Sequence, residues 1–174
     1  MKDDKEHTCC FFGHRKIVVT DELVSRLKEV VEDLITEKKV DTLLFGSKSQ
    51  FDKLCLEVVT ELKIKYPHIR RIYVRAEFPF IDENYTAYLL ERYDHTYYPE
   101  RMINAGKAAY VERNYEMIDN SSYCVIYYDE NYMPPRRKNS RRDLTEYQPR
   151  SGTKRAYDYA RKNKIIINVA INQS

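Results

Sequence analysis

The chain has 174 residues, 43% of them hydrophobic, and 30 Lys and Arg against 27 Asp and Glu give a net charge of +3. That length holds one domain with a sizeable core, and the near balance of charge excludes a protein that grips nucleic acid by bulk electrostatics. Tryptophan is absent while tyrosine occurs 16 times, and tyrosine packs its ring while keeping its hydroxyl wet, which suits the rim of a core or groove.

Residues 1–7 read as a charged tail without an apolar stretch of signal-peptide length, and no later run approaches a membrane span. Residues 8–174 read as a single domain. The run Thr8-Cys9-Cys10-Phe11-Phe12 predicts a first strand that ends at Gly13-His14-Arg15. Thr20 then caps an amphipathic helix, with Leu23, Leu27, Val31 and Leu34 on one face and Asp21 and Glu22 where the helix dipole favours anions. A second strand over residues 42–45 leads into Gly46-Ser47-Lys48-Ser49, and Phe51, Leu54, Cys55, Val58 and Leu62 predict a second helix that stops before Pro67. A third strand over residues 71–74 ends at Arg75-Ala76-Glu77. Helices are expected over about 82–92 and 105–119, a fourth strand over 123–128, and a helix from Gly152 that buries Ala156, Tyr159 and Ala160. The last run, residues 165–169, is continuously apolar, as in a strand covered on both faces. Strands alternating with helices through short links predict an α/β, three-layer, mostly parallel fold.

One stretch breaks the pattern. Residues 131–150 hold three prolines, no apolar periodicity, and Arg136, Arg137, Lys138, Arg141, Arg142 and Arg150 against Asp143 and Glu146. A loop of that length is either a solvated insertion or a functional element, such as a lid over an anionic ligand.

In an open parallel sheet the strands' carboxyl ends gather along one edge, where such folds bind ligands. Gly13 allows a tight turn there and close ligand approach. Arg15 suits bidentate pairing with phosphate, and His14 reads as a hydrogen-bonding turn residue rather than a catalytic base. Gly46 and Ser47 do not form a P-loop, because the GxxxxGK[ST] spacing is missing, but backbone and hydroxyl donors still suit phosphate. Asp52 is a first-turn dipole partner or a ribose-binding carboxylate. Arg113, with Asn114, sits on a helix from which it reaches the strand edge or faces solvent. Ser151, Gly152 and Thr153 make an anion-ready helix amino end, which ordinary capping explains equally. Tyr127, Tyr128, Tyr97 and Tyr98 are either base-stacking groups or strand tyrosines. The four cysteines, Cys9, Cys10, Cys55 and Cys124, lack disulfide spacing and read as reduced thiols of a cytoplasmic protein. His7, Cys9, Cys10 and His14 lack metal-ligand spacing, so no metal is expected.

Taken in order, the Thr8-to-Arg15 run, Gly46-Ser47 with Phe51-Asp52, Arg113-Asn114 with Met117, the Ser121-Ser122 break and Ser151-Gly152-Thr153 resemble the YpsA-like family of bacterial Rossmann-like proteins. That family belongs to the SLOG superfamily, with DNA-processing protein A and the Lonely guy phosphoribohydrolases. The resemblance covers Thr8 to Val169. It implies a Rossmann-like sheet and a site for a nucleotide or nucleotide-derived small molecule, in a sensor or regulatory role, with no cofactor. Arg113, Asn114 and Met117 match an Arg-Lys-x-x-Met motif of the Lonely guy enzymes. Their Pro-Gly-Gly-x-Gly-Thr-x-x-Glu motif is reduced here to Ser151-Gly152-Thr153, with Ala156 where the glutamate is expected. An N-glycosidic hydrolase would therefore need a relocated carboxylate, Glu77 or Asp129. Lys48 and Gln50 stand where relatives often carry small residues. Nucleic-acid binding through the basic loop is a third reading, and self-association into a homo-oligomer stays open. No membrane partner is expected.

Overall fold

The computed structural model describes residues 4–46, 48–132 and 152–170. Ser47, Ser151 and the basic stretch from residue 133 onward lie outside the described residues. Six strands form one sheet: β1 (Thr8–Gly13), β2 (Thr42–Phe45), β3 (Arg70–Val74), β4 (His95–Tyr97), β5 (Tyr123–Tyr127) and β6 (Ile165–Asn168). Their order is β4-β3-β2-β1-β5-β6 and every pairing is parallel. The chain builds outward from β1 to β4, then returns past β1 to lay down β5 and β6. The reversal between β1 and β5 is the switch point at which open α/β sheets form a crevice. The α/β, Rossmann-like expectation holds.

Five helices connect the strands: α1 (Asp21–Thr36), α2 (Gln50–Lys65), α3 (Glu83–Leu90), α4 (Ala109–Asp119) and α5 (Gly152–Ala160). Side-chain oxygens cap the first three, with Thr20 accepting from Leu23 N–H at 3.1 Å, Ser49 from Asp52 N–H at 3.0 Å and Asp82 from Tyr85 N–H at 2.7 Å. Strand alternation sends successive residues to opposite faces, which produces two cores. Cys9, Phe11, Leu43 and Phe45 pack with Leu27 and Val31 of α1 and Phe51 and Val58 of α2. Cys10, Phe12 and Leu44 pack on the other face with Met117 of α4 and Ala156 and Ala160 of α5. All four cysteines are free and buried, and Cys10 Sγ lies 3.4 Å from Cys124 Sγ. Burial pushes the Cys9, Cys10 and Cys55 thiols up, away from the reactive thiolate.

Five local expectations change. The sequence run did not signal β4, a polar three-residue edge strand. It is held by Asp94, which accepts from the Arg71 backbone N–H at 2.8 Å and from the Arg71 guanidinium at 3.0 and 3.1 Å. The last strand is also an edge, so although Ile166 and Ile167 reach opposite cores, Ile165 stays 57% exposed. The helix expected from residue 105 begins as a 3-10 turn at Gly106–Ala108, where Gly106 takes φ +55°, and becomes α-helical at Ala109. Tyr159 of α5 is half-buried rather than buried, stacking on Tyr115 at 4.0 Å and donating to Asp119 at 2.8 Å. Residues Asp4–His7 of the expected tail form a 3-10 turn. Among the described residues no helix is long and apolar enough to cross a membrane, and no cluster of three or more His, Cys, Asp or Glu could hold a metal ion.

Candidate functional site

At the β1/β5 switch point, Gly13 pairs with Tyr127 and His14 turns back over the end of β5. The Asp129 backbone N–H donates to His14 Nε2 at 2.8 Å, and the same nitrogen lies 3.2 Å from the Asp129 carbonyl. A backbone N–H can only donate, so Nε2 is the acceptor nitrogen and the neutral ring carries its proton on Nδ1. That Nδ1 is buried and has no hydrogen-bond partner among the described residues. Three tyrosines surround the imidazole: Tyr132 stacks on it at 3.9 Å, Tyr128 lies at 5.8 Å and Tyr127 meets it edge-on at 6.0 Å. Burial lowers the His14 pKa, and Asp129 opposes that only in part.

Gly46, at the end of β2, is tied on both sides. Its N–H donates to Asp52 Oδ2 at 3.4 Å, and its carbonyl accepts from Arg113 at 2.5 Å. The same guanidinium reaches the Val74 carbonyl at 3.4 Å, while Arg113 Nε donates to Asn114 Oδ1 at 2.9 Å. Arg113 and Asp52 are both buried. Arg113 is therefore not a solvent-facing arginine, and Asp52 is a buried acceptor rather than a simple dipole partner. At both glycines the chain itself makes a close approach. A Cβ on Gly13 would lie 2.3 Å from Phe51, and one on Gly46 would lie 2.8 Å from Arg113 Cδ and Met117 Sδ.

The remaining candidates spread around this edge. Arg15 is exposed, and its carbonyl accepts from Gln50 N–H at 3.0 Å. Gln50 Oε1 in turn accepts from Ile17 N–H at 2.8 Å. Gly152 is exposed at the amino end of α5 with open space at its Cβ position, and Thr153 beside it is buried. Lys154 on the same turn sits 5.9 Å over the Tyr128 ring, which links this helix end to the His14 tyrosines. Ala156 is 1% exposed in the α4/α5 core, where a glutamate side chain would enter an apolar cluster. Of the two carboxylates considered as substitutes, exposed Glu77 accepts from the Tyr110 hydroxyl, and Asp129 accepts from Asn131 N–H at 2.9 Å.

Sequence reasoning missed Tyr132 and the structural use of Gln50. Tyr132 carried no signal beyond its position shortly after the fourth predicted strand. Its hydroxyl accepts from Lys16 N–H at 3.2 Å, so the loops after β1 and β5 are bonded together. A groove between the carboxyl-terminal halves of α1 and α2 lies at the opposite edge, spanned by Lys28–Glu61 at 3.2 Å and Lys65–Glu32 at 3.5 Å.

A parallel sheet with a glycine-bearing switch point and helix amino ends along one edge defines a Rossmann-like α/β protein. The chain belongs to the YspA SLOG family, whose model, YpsA, matches residues 5–158. The matched stretch contains every candidate residue from Gly13 to Thr153. No curated protein matches the chain.

Two measurements test this geometry. Gly46→Ala should lose about 1–3 kcal/mol, the cost of forcing a methyl into a packed site, whereas Gly152→Ala should be near neutral or slightly stabilising. Urea midpoints at constant slope will separate the two, and equal losses would contradict the packing described. Lowering the His14 pKa below its ordinary 6.5 means that the unfolded chain binds the proton first. Its contribution to stability is full above that value and is lost as pH falls below it. The loss should flatten in His14→Gln, read as urea midpoint against pH.

Proposed function

We propose that this protein binds a nucleotide or nucleotide-derived small molecule at the carboxyl-end edge beside β1 and β5, as a sensor or regulatory module. The observation that carries this reading is His14. It presents a buried N–H with no partner among the described residues, set among tyrosine rings at the switch point, and an unmet buried donor is costly enough to favour an acceptor there. Tyrosine faces suit a planar base. The amino end of α5 at Gly152, with Lys154 on its first turn, suits phosphate. Membership of a SLOG family supports the same ligand class. The buried, free thiols suit a reducing compartment, and the cytoplasm is the proposed location.

The proposal is for binding without cleavage of the N-glycosidic bond. Such hydrolysis needs a carboxylate to activate water or steady an oxocarbenium-like centre. Residue 156 is an alanine buried in the core, and Glu77 is engaged by Tyr110.

Native mass spectrometry of gently purified protein should find a retained nucleotide-sized mass. Calorimetric titration with nucleoside phosphates should then give binding that His14→Phe weakens by about 1–3 kcal/mol, the cost of removing one buried hydrogen bond. The same mixtures should release no free base. Absence of both a retained mass and measurable binding would overturn the reading. Base release at enzymatic rates would replace it with a hydrolase.

A further inference from the structure

A second surface lies at the carboxyl end of β3, built by residues 77–91. This stretch holds four carboxylates, Glu77, Asp82, Glu83 and Glu91, and no Lys or Arg, in a chain whose net charge is +3. It also displays aromatic rings to solvent: Phe78 is 54% exposed, Phe80 92% and Tyr88 56%. Tyr85 joins two of them, with ring centroids 5.8 Å from Phe78 and 6.1 Å from Tyr88.

The loop is held rigidly in an unfavourable shape. Phe78 takes φ +60°, a conformation that large L side chains rarely adopt. The buried Arg75 fixes it, donating to the Phe78 carbonyl at 3.1 Å, the Pro79 carbonyl at 3.4 Å and Thr96 Oγ1 at 3.1 Å. Thr96 passes the anchor on by donating to the Tyr73 carbonyl at 2.9 Å. Strain of this kind persists only where surrounding structure enforces it, and here it aims an apolar ring at water.

We propose that residues 77–91 form a docking surface for an arginine-rich segment of a partner protein. Charge complementarity selects the occupant. Exposed rings within one stretch that also carries four carboxylates suit the guanidinium, which stacks flat on an aromatic ring while its edge donates to a carboxylate. An ammonium pairs with the same carboxylates but stacks less well. Nucleic acid and acidic peptides are repelled by the four carboxylates. Because the whole chain is positive, a cationic peptide has no general attraction to it, so binding must be local.

The test is fluorescence anisotropy with labelled octa-arginine, octa-lysine and octa-glutamate peptides against the full chain. Octa-arginine should bind best, octa-glutamate should not bind, and added salt should weaken the complex. Phe80→Ala should weaken octa-arginine binding by about fivefold, consistent with loss of one cation–π contact at an exposed site. Glu83→Gln combined with Glu91→Gln should weaken it further. Phe80 is almost fully exposed, so an unchanged melting temperature will show that its variant is folded. Equal binding of octa-lysine and octa-arginine, or insensitivity to Phe80→Ala, would overturn the proposal. So would binding that emerges only after the six basic residues of 133–150 are neutralised, since the surface would then be filled from within the chain.

Discussion

The peptide group of Gly46 is the constraint on which the carboxyl-end edge of the sheet depends. Its N–H is held by Asp52 from α2 and its carbonyl by Arg113 from α4, and these helices cover opposite faces of the sheet. One residue therefore ties the two outer layers together at the end of β2. Burying a guanidinium costs several kcal/mol unless its donors and charge are met. Here burial lowers the Arg113 pKa, the field of Asp52 opposes it, two main-chain carbonyls accept from Nη1, and Asn114 accepts from Nε. The arrangement fits only because residue 46 has no Cβ, since that atom would fall within 3 Å of Arg113 and Met117.

From this tie, order extends along the edge. Gln50, in the first turn of α2, bonds the loop after β1 twice, through its N–H to Arg15 and through its side chain from Ile17. The same loop donates to Tyr132, which stacks on His14, and His14 accepts from Asp129 after β5. The segments that follow β1, β2 and β5 thus form one bonded unit. A ligand meeting such a unit has little loop entropy left to remove, so modest contacts suffice for useful affinity.

Much of this was legible in the residue pattern, because long apolar periodicities and caps have few alternative readings. Thr20, Ser49 and Asp82 cap helices where the sequence placed their starts, and the adjacent Cys9 and Cys10 enter opposite cores as strand alternation requires. Strand β4 was not legible. His95, Thr96 and Tyr97 carry no apolar signal, and their strand exists through pairing with β3 and the Asp94–Arg71 bonds. The apolar run of β6 suggested an interior position, but strand order is a tertiary property that its own residues do not encode. At the site, glycine at position 13 signalled a close ligand approach, and the structure shows close approach by the chain itself at both 13 and 46. It could not signal what approaches, and the answer is Phe51, Arg113 and Met117 of the same chain.

The arginines carry the more general lesson. In sequence, an arginine near a strand end in a glycine-bearing edge reads as an anion receptor. Two of them serve the fold instead: Arg113 binds Gly46 and Val74, and Arg75 binds Phe78 and Pro79. The same five-donor fork that recognises phosphate also recognises two carbonyls that end adjacent strands, and a folded chain always supplies carbonyls. Counting cations therefore overstates how much of this edge is available to a ligand. The groups gathered at the switch point are instead a buried neutral histidine, three tyrosine rings and, beside Tyr128, the first turn of α5. For the binding proposed above, recognition by directed N–H bonds depends on ligand shape and tolerates salt. That is the behaviour expected of a small-molecule site, whereas surfaces that track a phosphate backbone weaken steeply with ionic strength.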